Sequence, residues 1–295
     1  MDNPREMRRI LDTDTAFRWF CKAGAIVGLA VAIALVAVIL KESMLALRTA
    51  GFSLVFSAEW NPADGSFGAA GALVGTAATT LLALLMAVPL AFAAALFVNA
   101  APPNVAVPVA HALDLLAAIP SVIYGMWGLF VLCPLLQSVL SRFGIEYTGF
   151  GLVPSSLVLA LMVLPYVSAV MRDVLAQTPV ALVESAMGVG CTRWEATWDV
   201  VVRSRKAGLL GAIMIGLGRA LGETMAVLFV CGGVSAIPTG LLDGCTTIAA
   251  TLANDFAEAD GVHKSALFAL GGILLAFEFA IQATTIPLIG RRSKK

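Results

Sequence analysis

Residues 172–199 read Arg172-Asp-Val-Leu-Ala-Gln-Thr-Pro-Val-Ala-Leu-Val-Glu-Ser-Ala-Met-Gly-Val-Gly-Cys-Thr-Arg-Trp-Glu-Ala-Thr-Trp-Asp199. Ala181, Glu184, Ala186 and Met187 suit a first helix, and Gly188 and Gly190 suit a sharp turn. Trp194, Trp198 and Val201, at spacings of four and three, give a second helix one apolar face. A polar helix–turn–helix that exposes tryptophan either enters a partner's groove or lies on lipid headgroups.

On both sides of this hairpin the chain turns apolar, at 151–171 before it and 209–231 after it. Four similar stretches lie at about 23–40, 71–98, 120–140 and 266–289. A bilayer core of about 30 Å takes roughly 20 such residues as helix, so an all-α integral membrane protein with six transmembrane helices is expected. Of the 295 residues 59% are hydrophobic and 13% charged, which excludes a soluble enzyme, a disordered tail and a nucleic-acid binder. Residues 1–22 form a basic segment, and 23–40 is expected to stay as an anchor, since no persuasive cleavage site precedes Lys41. Pro89 and Pro165 are expected to kink their spans. The five cysteines form no CxxC pair, so neither a disulfide framework nor a metal site is signalled.

Basic residues set the orientation. With the N-terminus inside, fourteen fall on the inner side: Arg5, Arg8, Arg9, Arg18, Lys22, Arg172, Arg193, Arg203, Arg205, Lys206, Arg291, Arg292, Lys294 and Lys295. Only Lys41, Arg48, Arg142 and Lys264 fall outside. Both termini and the hairpin are therefore expected in the cytoplasm, and Asn254–Asp260 outside, as a solvated acidic loop or a contact for a binding protein.

Glu184-Ser185-Ala186, three further residues and Gly190 resemble the coupling loop of binding-protein-dependent ABC importer permeases. The segments 115–130 and Gly216-Leu-Gly-Arg-Ala-Leu-Gly-Glu-Thr-Met-Ala-Val227 are similar to the PstC-type permease family of phosphate importers, over residues 20–290. The resemblance implies a methionine-importer-like (type I ABC importer) permease fold, with a core at 71–290 and its coupling loop at about 172–206. It implies that Glu184, Ala186 and Gly190 dock on an ATPase, and that this chain is a non-catalytic subunit without a cofactor. The implied partners are a second permease of PstA type, an ATP-binding dimer of PstB type and a periplasmic phosphate-binding protein of PstS type, in the cell inner membrane. Arg203 stands where the family pattern has proline.

Arg219 and Glu223 would be singled out without any family. An ionised group in mid-span costs at least about 3 kcal/mol, so both need compensation. A spacing of four puts them on one helix face, where each can neutralise the other, and Gly218 and Gly222 let a neighbour approach that face. Two readings stay open: a buried lock between helices, or a path for an oxyanion, the guanidinium offering a planar fork and the carboxylate accepting a proton from phosphate. In the family this pair is associated with the translocation path.

Weaker candidates remain. Glu278 in the last span faces a partner helix or a polar cavity, and Arg172 with Asp173 anchors a helix end or serves transport. His111 and Asp114 form a solvated face or a proton relay. No G-x-x-x-x-G-K-[ST] loop, HExxH or GxSxG occurs, so any ATP is bound by another chain. The rival classes are a permease for another oxyanion, an ion-coupled secondary transporter, whose inverted halves are not evident, and a scaffold, which leaves Arg219 and Glu223 unexplained.

Overall fold

The computed structural model describes residues 4–51 and 53–292, with side-chain surroundings for residues 17–51 and 53–284. Lys294 and Lys295, part of the inner basic count, lie outside the described residues, as do the side chains of Arg5, Arg8, Arg9, Arg291 and Arg292. The chain is helical: α1 Pro4–Ala50, α2 Ala70–Ala100, α3 Pro103–Ala118, α4 Ser121–Arg142 and α5 Leu152–Ala176. There follow α6 Val180–Gly188, α7 over residues 193–221, α8 Met225–Leu228, α9 Ile248–Asp255 and α10 Gly261–Arg292. Two isolated bridges, Asn61 with Ser66 and Gly232 with Cys245, are the β pairing among the described residues.

Among the described residues five helices are long and apolar enough to cross a membrane: Phe17–Ala50, Ala70–Ala100, Ser121–Arg142, Leu152–Ala176 and Gly261–Thr284. The sixth expected span, 209–231, is not one helix. Its first half belongs to α7, which stops at Leu221, and after the short α8 the chain runs irregularly to Thr247. Pro89 and Pro165 lie inside unbroken α2 and α5. The first helix outruns its apolar core at both ends, and at the C-terminal end Glu42-to-Arg48 is made mostly of good helix formers.

The centre is α5, whose Val158, Leu159, Val163, Val167 and Met171 are almost wholly buried. Apolar side chains gain little by leaving lipid for protein, so close packing has to hold such helices together. Ala83, Ala87, Ala91 and Ala95, one per turn of α2, supply that closeness and are at most 1% exposed. Gly216 does the same for α7, since a Cβ there would sit 2.4 Å from Val167 Cγ2 on α5.

The irregular segment after α8 is hung between α2 and the start of α5. A Cβ on Gly71 would lie 1.8 Å from the Ser235 carbonyl, and one on Gly75 2.0 Å from that of Thr246. Gly151 and Leu152 donate backbone N–H to the Val230 and Asp243 carbonyls, at 2.9 and 3.1 Å. Thr76 Oγ1 accepts from the Ile248 amide at 2.9 Å, closing the segment onto α9.

Candidate functional site

Arg219 sits in the last turn of α7, where the exposed carbonyl ends favour a cation. Its guanidinium carbon lies 5.2 Å from the centroid of the Tyr166 ring on α5, a cation–π contact. Glu223 lies beyond the helix end, and its Oε1 accepts from the Ala226 amide at 3.2 Å, serving the start of α8. The expectation that the two share one helix face and neutralise each other therefore fails. Gly222 caps α7 between them, and among the described residues no carboxylate lies within 4.0 Å of Arg219.

What they share is a cavity. A pocket of about 540 Å³ is lined by Met214, Ile215, Gly218, Arg219, Gly222 and Glu223, by Tyr166, and by Glu278 and Gln282 of α10. Of the two settings open for Glu278, the polar cavity is the one observed. Gln282 Nε2 donates to Glu278 Oε1 at 3.2 Å. Gly218 makes room for that pair, because a Cβ there would stand 3.0 Å from Glu278 Oε1 and 3.4 Å from Gln282 Nε2. One guanidinium and two carboxylates thus line one half-open space. Such a set holds a ligand that both accepts from a fork of N–H groups and offers an O–H to a carboxylate. Tyr166 and Gln282 carried no sequence signal beyond being polar groups within apolar spans.

At the other end of α7 lies the hairpin. The α6 terminus closes with Gly190 N–H donating to Met187 O at 3.0 Å and Cys191 N–H to Ala186 O at 3.1 Å. This pair of bonds needs a left-handed residue at the turn, and Gly190 supplies it with φ +101°. Thr192 then caps the next helix reciprocally: its N–H donates to Glu195 Oε2 at 2.8 Å, and Glu195 N–H donates to Thr192 Oγ1 at 3.3 Å. The Thr192 amide, followed by its hydroxyl, holds the Glu195 carboxyl below the usual carboxylate range. Thr192-x-x-Glu195 carries the signature of a capping box, a signal that went unread in the sequence.

The second helix does not stop at the hairpin. Residues 196–202 wind as a π-helix and pass without a break into Arg203–Leu221. Arg203, exposed and 4.0 Å from Asp199, continues the helix where a proline would interrupt it. Glu184 and Gly190 are exposed and Ala186 half-buried on the hairpin. Around them Val180, Leu182, Met187, Val189 and Trp194 present apolar surface that this chain leaves uncovered. Trp198, also partly exposed, stacks on Trp194, centroids 5.8 Å apart, and meets Phe92 of α2 edge-on at 6.1 Å.

Arg172 pairs with Asp114 at 3.1 Å, tying α5 to α3, whereas His111 is exposed. Asn254 and Asp255 belong to α9 rather than to a loop, and Trp60 Nε1 donates to Asp255 Oδ2 at 2.9 Å. These residues border a second cavity of about 550 Å³, which also takes in Thr246 and Thr251.

Among solved structures, the inward-facing MetNI methionine ABC transporter has a similar chain, with a TM-score of 0.57 at 16% identity, covering 76% of this chain and 94% of that one. The fold is thus that of a type I ABC importer permease. The phosphate transport system permease protein PstC of Pasteurella multocida is 45% identical over 84% of this chain and 82% of its own length. PstC of Mesorhizobium japonicum is 42% identical over 94% and 90%, and that of Xylella fastidiosa strain 9a5c 41% identical over 85% and 82%. Residues 65–285 match the family described as binding-protein-dependent transport system inner membrane component, and the chain belongs to that family.

Proposed function

We propose that this chain is a membrane-spanning permease subunit that carries inorganic phosphate inward, with ATP hydrolysed by separate subunits. The carrying observation is the guanidinium of Arg219, which faces a cavity shared with Glu223 and Glu278 and, among the described residues, meets no carboxylate within 4.0 Å. A fork free of acid partners is available to a passing oxyanion, and the acids keep the site from becoming a trap while accepting a proton that phosphate retains and sulfate lacks. The names of the PstC relatives point to the same substrate.

Glu184, Ala186 and Gly190 serve as the docking point for an ATP-binding dimer, supported by the uncovered apolar hairpin. A second permease closes the open side of the Arg219 pocket, and a periplasmic phosphate-binding protein delivers the substrate. The family's description as an inner membrane component supports that membrane, and the basic-residue count favours both termini in the cytoplasm.

The test is uptake of labelled phosphate and sulfate by cells that lack other phosphate importers and express this chain with its neighbouring subunits. Phosphate accumulation that needs both this chain and ATP is expected, with sulfate left outside. Equal uptake of sulfate, or uptake driven by an ion gradient without ATP, would refute the reading.

A further inference from the structure

Three of the four basic residues that the proposed topology leaves outside converge on one pocket. Lys41 and Arg48 of α1 and Lys264 of α10 line a cleft of about 370 Å³ together with Glu42, Met44, Leu45 and Ser265. The three cations are exposed, and none takes part in an ion pair among the described residues. With one carboxylate against three cations the cleft carries a formal surplus of positive charge, and the repulsion that remains among the solvent-screened cations is relieved when an anion fills it.

The cleft is held in shape from below. Ala46 N–H donates to Ser265 Oγ at 2.9 Å, and Ser265 Oγ–H donates to the Glu42 carbonyl at 2.6 Å. Glu42 C=O and Ala46 N–H are the two halves of one helical rung, so a hydroxyl of α10 is set into the ladder of α1 at the level of the cations. Ser265 and Ala46 are both buried there, which fixes Lys264 opposite Lys41 and Arg48.

The surroundings say which anion. Lys41 directly follows the apolar run 23–40, so the cleft stands where hydrocarbon gives way to headgroups. Met44 and Leu45 line the same cleft and are 52% and 48% exposed, and Leu40 beside them is 58% exposed. Cations that flank exposed apolar side chains, Leu40 on the span side of Lys41 and Met44 and Leu45 between Lys41 and Arg48, match a phosphate group that carries acyl chains, whereas free phosphate or an acidic protein loop has no use for the apolar part. We infer that this cleft between α1 and α10 binds the phosphate headgroup of an anionic phospholipid, at a site separate from the Arg219 cavity.

The test uses the assembled complex in mild detergent, exchanged into micelles doped with phosphatidylglycerol or phosphatidylcholine, with retained lipid counted by native mass spectrometry. The wild type is expected to retain phosphatidylglycerol in preference. K41Q/R48Q/K264Q should lose that preference, by roughly fivefold for each cation removed, while K41R/R48K/K264R keeps it and reports on folding. Millimolar inorganic phosphate should leave the retained lipid in place. Equal retention by the glutamine variant would overturn the inference. So would displacement by inorganic phosphate, which would make free phosphate the ligand, or a loss of binding-protein capture with lipid retention unchanged, which would make the cleft a protein contact.

Discussion

Arg219 and Glu223, four residues apart, lie on opposite sides of a helix end: the first closes α7 over the Tyr166 ring, and the second turns to the amide of Ala226. Their charges are thus presented to a common cavity and not to each other. A lock between helices would require the contact that is missing.

The first prediction follows from that separation. Arg219→Lys keeps the charge but loses the fork, and phosphate uptake should fall at least about tenfold with the complex still assembled. R219Q/E223Q should also be inactive. Normal uptake by the double variant, measured beside the amount of assembled complex, would restore the lock.

Glu278 should act in the opposite sense. Replacing one of the pocket's two carboxylates by a neutral group lowers the repulsion of an entering anion. Glu278→Gln is therefore expected to lower the KM for phosphate by about fivefold and to slow turnover, because release becomes harder. Initial-rate uptake across a phosphate series checks both signs.

At the hairpin, Gly190→Val places a β-branched side chain at φ +101°, which costs about 1–2 kcal/mol and opens the turn after α6. Membrane insertion should be kept while ATPase stimulation by loaded binding protein is lost. Glu184→Lys should give the same split through charge. ATPase assays on purified complexes measure it.

Topology calls for a suitable reporter. Cys245 is wholly buried, so a membrane-impermeant thiol reagent will not find it, whereas Ala63 is exposed. In intact spheroplasts a single cysteine introduced by Ala63→Cys should label and Cys191 should not. The reverse pattern would invert the membrane orientation.

Packing gives the fifth prediction. Gly75→Ala drives a methyl to 2.0 Å from the Thr246 carbonyl, a backbone atom that cannot swing aside. The purified complex should lose about 2 kcal/mol or more, read as a lower melting temperature.

The apolar runs made the helices legible, and a turn at Gly190 flanked by two helices followed from composition and spacing. The break at Leu221 was harder to see, because Met225–Cys231 is as apolar as the turns before it. The punctuation was present in Gly222 followed by polar Glu223 and Thr224, but a glycine within Gly216-Leu-Gly-Arg-Ala-Leu-Gly222 reads equally well as helix packing. The convergence of Glu278 and Gln282 on Arg219 depends on where α10 crosses α7, sixty residues away in the chain, and no local periodicity encodes that crossing. Arg203 illustrates the converse: a good helix former stands where the family pattern has proline, and the helix runs through it unbroken, a continuity that had not been drawn from the sequence.

The unbroken winding of residues 193–221 makes a rod about 40 Å long, with the capped Thr192 at one end and Arg219 at the other. It contains no proline, and its irregular turns are gathered in the π-helical residues 196–202. A thrust applied at the hairpin is either taken up as rewinding of those seven residues or delivered at the far end as a turn of the guanidinium about the helix axis. On the proposed docking of the hairpin, the π stretch would act as this rod's clutch, its stiffness setting how much of each stroke reaches the cavity.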